Sequence, residues 1–294
     1  MKRLAFRLKL PFAPSALTWL AMLAFLALIG ISCNKSEEYR FDTSFNKATT
    51  IDFLMAEHIS RDVFRQVYSI SYDTTLLNQG SGIVDSALIT KVGEEWVIDY
   101  GVGKKTPDGT QRAGKILIHW NAPLIDSGAQ AQVSFQGYMI NGKEISGKIK
   151  IKQLQFKTLK FSLNIDTVQI ALNDTYHRKV QYTGSYSLKR SAGANTPLTW
   201  WDDVFRIYGQ ASGRGADYDR FVYSTIDTLS LRFPCRYLSE GRALLEMPDF
   251  EINQMEMEYP LLSECSGAIR VTYKSKQSNG ATRKIGTSVL TVSF

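Results

Sequence analysis

The chain has 294 residues, 44% of them hydrophobic and 21% charged, and a formal net charge of +7. Four basic residues, Lys2, Arg3, Arg7 and Lys9, open it; without residues 1–32 the balance is 31 basic to 28 acidic, about +3. The remaining lysines and arginines are scattered along alternating segments rather than gathered on one face, which argues against nucleic acid as a partner.

The basic start is followed by an apolar stretch from Ala16 to Ile31 and by small residues before Cys33. This pattern predicts a lipoprotein signal peptide over residues 1–32, with a lipid carried on Cys33. The competing reading is an uncleaved membrane helix, because the apolar stretch is near the lower length of a span. Residues 33–47 are polar and aperiodic and read as a tether. Ile51, Leu54, Met55, His58, Ile59, Val63, Val67 and Tyr68 then recur at three- and four-residue steps. That spacing predicts one amphipathic helix, capped by Thr49 with Asp52 three positions on. His58 lies on the apolar stripe and reads as a packed core histidine rather than a ligand.

From Ile83 the period changes to two. Lys115–Trp120, Gln132–Phe135, Ile149–Lys152 and Leu159–Ile165 alternate as half-buried antiparallel strands do. Asn141-Gly142 supplies a type I′ hairpin turn. A turn-rich break at Arg190–Pro197 divides the chain into 48–190, the helix plus a first β unit, and 191–294, a second β unit. The strands expected in the second unit are Thr225–Phe233, Ala243–Met247, Phe250–Met257, Ala268–Lys274 and Lys284–Phe294. The last is expected to be tied so firmly into a sheet that its loss prevents folding. The fold class is therefore mainly β, one or two antiparallel β-sandwich-like units preceded by one amphipathic helix.

Cys235 and Cys265 predict one disulfide in an oxidising compartment, two buried free thiols being the alternative. None of His58, His119 and His177 has a second ligand at zinc spacing, and neither a nucleophile elbow nor a phosphate loop is present. No metal, cofactor or catalytic residue is assigned on these grounds. Glu94, Glu95, Asp202, Asp203, Glu256 and Glu258 are available to a paired-carboxylate glycosidase. Asp99, Asp108 and Asp126 lack the close spacing of a calcium loop and read as turn residues. The cluster Trp200-Trp201-Asp202-Asp203 is the candidate ligand-binding site. Indole faces match the C–H faces of sugars, and carboxylates match their hydroxyls. The competing reading puts one tryptophan in the core, since neighbours on a strand face opposite sides. Gly209–Asp219 reads as a mobile lid or a long connection.

Cys33-Asn34-Lys35-Ser36-Glu37-Glu38 is similar to the start of Bacteroidota lipoproteins exported to the outer surface. Asp99-Tyr100-Gly101, then Asp108-Gly109 and Arg112-Ala113-Gly114-Lys115-Ile116, then Tyr138-Met139-Ile140-Asn141-Gly142, resemble a recurring segment in uncharacterised lipoproteins of that phylum. Asp202–Gly209, with Cys235 and Cys265 behind it, looks like the second half of the same proteins. The resemblance implies a lipid-anchored β-rich family and no particular activity. Asp followed by Ser or Thr, at Thr74, Ser86, Thr167 and Thr228, resembles the O-glycosylation site of proteins exported in that phylum; Asp-Ser/Thr equally marks turns. The expected role is that of an outer-membrane lipoprotein, facing the cell surface or the periplasm: a non-catalytic binding, adhesion or structural module. A glycan hydrolase and an accessory subunit of an outer-membrane complex are the rivals. The expected partners are the membrane, through Cys33, and a carbohydrate or an envelope protein.

Overall fold

A computed structural model describes residues 43–294, apart from 197–198, 260–264, 266, 278 and 292–294. The signal peptide, Cys33 and most of the tether lie outside the described residues.

The first element is a helix, α1 (Ser44–Tyr72), of 29 residues without glycine or proline. It starts earlier than Thr49, so part of the stretch read as tether is helical. Thr49 does not cap it; its hydroxyl instead donates to Asp219 at 3.3 Å. A short helix, α2 (Thr74–Gln79), follows, capped by the Asp73 side chain and ended by Gly80 in the left-handed region. No described helix is long and apolar enough to cross a membrane.

The strands follow in order: β1 (Ser81–Val84), β2 (Ala87–Val92), β3 (Glu95–Asp99), β4 (Lys104–Lys105), β5 (Gln111–Trp120) and β6 (Gln130–Ile140). Then come β7 (Lys143–Ser146), β8 (Lys148–Gln155), β9 (Lys160–Ala171), β10 (Lys179–Ala192), β11 (Val204–Arg214) and β12 (Arg220–Thr225). The last are β13 (Leu229–Arg232), β14 (Gly241–Glu246), β15 (Gln254–Tyr259), β16 (Ala268–Lys276) and β17 (Thr282–Thr291). All pair antiparallel, in a single meander in which chain neighbours are sheet neighbours. Three rungs are interrupted: β3 and β4 both lie along β5, β7 and β8 along β6, and β12 and β13 along β11. Asn141 and Gly142 both have positive φ and join β6 to β7 in the expected hairpin.

The mainly β class with one long N-terminal helix holds, but its two-unit form does not. β10 runs through the break expected at 190, and it pairs with β11 from Gln181↔Arg214 to Ala192↔Val204. Asp42–Phe294 is one compact unit. Nor does α1 precede the sheet as an amphipathic helix with a wet face. Phe53 to Phe64 is buried on every side, including Glu57, Arg61 and Asp62, while Phe45 and Ile51 of the first turns stay exposed. Strands from all parts of the meander pack on it. Asn46 donates to the Ile252 carbonyl at 2.7 Å. Phe53 meets Tyr182, Phe221 and Tyr223, and Phe64 meets Phe161, Phe205 and Phe233. Ser71 accepts from the Leu124 amide at 3.0 Å. His58 is buried against Tyr237, as expected. Burial lowers its pKa to about 3, so it stays neutral at any ordinary pH.

Cys235 and Cys265 are disulfide-bonded, with Cα atoms 4.8 Å apart. Closing a loop of this size in the unfolded chain is worth about 3 kcal/mol. At the other extreme, β17 pairs only with β16, and none of its described side chains is buried. Among the described residues the C-terminal strand is an edge, and residues 292–294, part of the seven whose deletion is expected to prevent folding, lie outside them.

Two consequences are measurable. Glu57 accepts from Arg61 Nε and Nη2 at 2.9 Å each, inside the molecule, among Tyr182, Tyr186, Tyr223 and Tyr259. Removing one member leaves a buried charge without its partner. Glu57→Ala or Arg61→Ala should cost about 3–5 kcal/mol in urea unfolding. The apolar pair Glu57→Leu with Arg61→Met should cost less than either.

Asp52 of α1 accepts from the Ala216 amide at 2.7 Å and faces Asp217, Asp219 and Arg178. Burial, opposed by the Ala216 hydrogen bond and reinforced by Asp217, raises its pKa to about 6. Between about pH 4 and 6 the folded chain therefore holds a proton that the unfolded chain has released. This contribution to stability is complete below about pH 4 and is lost as the pH rises through 6. Asp52→Asn should raise Tm by a few degrees at pH 7.5, and the gain should vanish near pH 4.

Candidate functional site

A cleft of about 330 Å³ opens over one stretch of α1. Asp62, Arg65, Gln66 and Ser69 line it from the helix. Their i, i+3, i+4, i+7 spacing places them on a single face. Its walls come from four separate connections. Asp85 lies in the β1–β2 turn, and Tyr100 and Thr106–Asp108 lie between β3 and β5. Trp200 and Trp201 come from the β10–β11 connection, Pro234 and Arg236 from the β13–β14 connection.

Arg112 of β5 forms the base. It is 4% exposed, and all five of its N–H donors are engaged. Nη1 donates to Asp62 at 2.5 Å and to Tyr138 Oη at 2.9 Å. Nη2 donates to Asp62 at 3.1 Å and to Asp108 at 3.0 Å, and Nε donates to Thr106 Oγ1 at 3.3 Å. Around it, Tyr100 donates to Gln66 at 2.7 Å, and Gln66 donates to Asp62 at 2.7 Å. A bulge puts Tyr138 there. In β6 the buried positions are Ala131 and Val133, then Tyr138 and Ile140, so the inward parity flips across the register shift at Gly137. One extra residue in a strand re-aims every side chain beyond it. Gly137 and its neighbour Gly114 both have positive φ, and a Cβ on Gly114 would lie 2.0 Å from the Gly137 carbonyl oxygen. Gly114 therefore needs glycine, whereas at Gly137 a Cβ would meet open space and only the positive φ favours it.

The electrostatics follow from this closure. Burial alone would raise the Asp62 pKa, but Arg112 outweighs it and holds the carboxyl below its usual range. Asp108 is also held low. There, burial is overcome by the Thr106 hydroxyl, the Thr110 amide and Arg112. Tyr138 is pushed up to about 12 by burial. The base is thus a network saturated in hydrogen bonds, with one arginine between two carboxylates.

The predicted cluster divides. Trp200 and Trp201 both line the cleft. They meet edge to face with centroids 5.1 Å apart, and Trp200 packs on Phe233 at 5.6 Å. Trp201 is 50% exposed, and the Arg65 guanidinium lies 5.9 Å from its ring. Asp202 and Asp203 do not line the cleft. Asp203 is fully buried, accepts from Tyr68 Oη at 2.7 Å and pairs with Arg190 at 3.5 Å. Its amide donates to the Trp200 carbonyl at 3.1 Å. Asp202 accepts from the Thr196 hydroxyl at 2.6 Å. The two aspartates anchor the loop that presents the tryptophans.

The other carboxylates offered for glycosidase chemistry are dispersed. Glu256 pairs with Lys274 and Arg242, and Glu258 pairs with Arg270, as cross-strand partners. Asp108 belongs to a turn, as read, accepting from Thr106 Oγ1 at 2.6 Å and the Thr110 amide at 3.0 Å. No group of three or more His, Cys, Asp or Glu that could hold a metal occurs among the described residues. Gly209–Asp219 is neither a lid nor a loose connection. It is the end of β11 and a turn clasped to α1 through Asp52–Ala216 and Thr49–Asp219. Of the modification candidates, Thr74, Thr167 and Thr228 are exposed, while Ser86 is half-buried in a turn with positive φ at both Asp85 and Ser86.

Sequence reasoning passed over Asp62, Arg65, Gln66 and Arg112. The available signal was the polar i, i+3, i+4, i+7 face on a helix otherwise rich in core residues. Compared with protein-family models, curated proteins and solved structures, the chain matches none.

Proposed function

We propose that this protein is a lipid-anchored, non-catalytic binding module of the outer envelope, and that its cleft receives a small glycan. The anchor reading rests on the signal pattern and Cys33. The binding reading rests on one observation above the others: a half-exposed Trp201, beside Arg65, in a cleft of about 330 Å³. That size is within the range of small-molecule sites, roughly 300–1,000 Å³. Arg112 keeps Asp62 and Asp108 ionised and engaged in the floor, whereas burial raises the pKa of Asp85, the third aspartate of the lining.

Protease shaving of intact cells, with Cys33→Ala alongside, tests the address. Wild type should be cleaved from whole cells, and the variant should be lost from the membrane fraction. Protection until lysis would favour the second reading, a subunit within an envelope complex, to which the open edge of β17 lends support. A glycan array probed with the detergent-solubilised full chain tests the cleft. Trp201→Ala should weaken binding at least tenfold; equal binding by the variant would place the ligand elsewhere.

A further inference from the structure

The cleft contains three arginines and three aspartates, but they do not play equivalent parts. Arg112 has no donor left over, all five being spent on Asp62, Asp108, Tyr138 and Thr106. Arg65 stands differently. It is half-buried, projects from α1 into the cleft, and among the described residues has no carboxylate within ion-pair distance. Its one backbone contact, from Nη1 to the Cys235 carbonyl, is long at 3.5 Å. Its guanidinium lies against the exposed indole of Trp201. A guanidinium presents a planar fork that matches carboxylates and sulfates. The indole beside it offers an apolar face.

We propose, building on the binding reading above, that the cleft selects an acidic glycan residue, with its carboxylate or sulfate on Arg65 and its C–H face against Trp201. The floor keeps one uncompensated negative charge, since Arg112 offsets only one of Asp62 and Asp108, and the acidic group is therefore received at the rim, on Arg65 beside Trp201. Arg65 comes from a helix whose backbone is packed into the sheet, so the ordering cost on binding is confined to its side chain.

The test is a set of matched pairs on the detergent-solubilised full chain: uronic-acid oligosaccharides and their methyl esters, and sulfated oligosaccharides and their unsulfated counterparts. Binding is read by tryptophan fluorescence and calorimetry. Each acidic member that binds should do so at least tenfold more tightly than its neutral partner. Raising NaCl from 50 to 300 mM should weaken the acidic members several-fold and the neutral ones little. Arg65→Ala should abolish the preference with Tm unchanged, and Arg65→Lys should keep part of it. Preference for uronates alone or for sulfates alone identifies which anion the site takes. If neutral members bind as well as acidic ones, or the preference survives in Arg65→Ala, the acidic assignment is overturned while the binding reading stands. If no pair binds, or Trp201→Ala binds like wild type, both are overturned.

Discussion

A helix enclosed by a sheet must find a partner inside it for each polar side chain it buries. That constraint organises this molecule. α1 carries Asn46, Glu57, Arg61 and Asp62 into the interior, and each is answered at close range: Ile252 for Asn46, Glu57 and Arg61 for each other, Arg112 for Asp62. A buried carboxylate or guanidinium without its partner is costly enough to offset much of a domain's net stability. The sheet is therefore not free to slide along the helix. Its register is held by ionic and hydrogen-bonded contacts as well as by the aromatic packing around Phe53 and Phe64.

The cleft follows from the same arrangement. Where four connections meet over Asp62–Ser69, the strands do not close on the helix and loops take their place. The site has a rigid floor and shaped walls. Arg112 fixes the floor from one side, and Asp203 fixes the tryptophan loop from the other through Tyr68 of the same helix. Residues fifty and more positions apart are thus set to one frame, and a binding site built on rigid elements holds its geometry more closely than one built on loops alone. The disulfide partner Cys235 sits between Pro234 and Arg236, so the cross-link also steadies one wall.

Much of the fold was legible in the sequence. Period-two alternation exposed the strands, Asn141-Gly142 the hairpin, and Cys235 and Cys265 their bond. The helix was visible, but its surroundings were not. Glu57, Arg61 and Asp62 look like a solvated face, and only their partners show otherwise. The Glu57–Arg61 spacing of four was available to see, whereas Asp62 and Arg112 are fifty positions apart. Their meeting depends on how the sheet wraps the helix, which no local pattern encodes. The bulge at Gly137 is similar: two residues flip the inward parity of β6, and a plain alternation rule places Tyr138 on the wrong face. The Trp200-Trp201 pair was found because aromatic residues with neighbouring carboxylates suggest sugar binding, yet the carboxylates serve to hold the loop. Of the four adjacent residues, two line the cleft and two sit outside it, a division that sequence adjacency does not encode.

The chain order of helix and sheet has a kinetic consequence. α1 leaves the ribosome, or a membrane translocon, before any strand that will cover it. The meander itself is local, each strand pairing with the next. The helix contacts are not: Asn46 waits for Ile252, 206 positions later. During synthesis, a helix bearing Phe53, Phe64 and an internal ion pair is covered in stages and stays partly open until nearly the whole chain is present. Such a protein is most exposed to aggregation and proteolysis late in its own production, and a holdase in the compartment where it folds would act chiefly on that one segment.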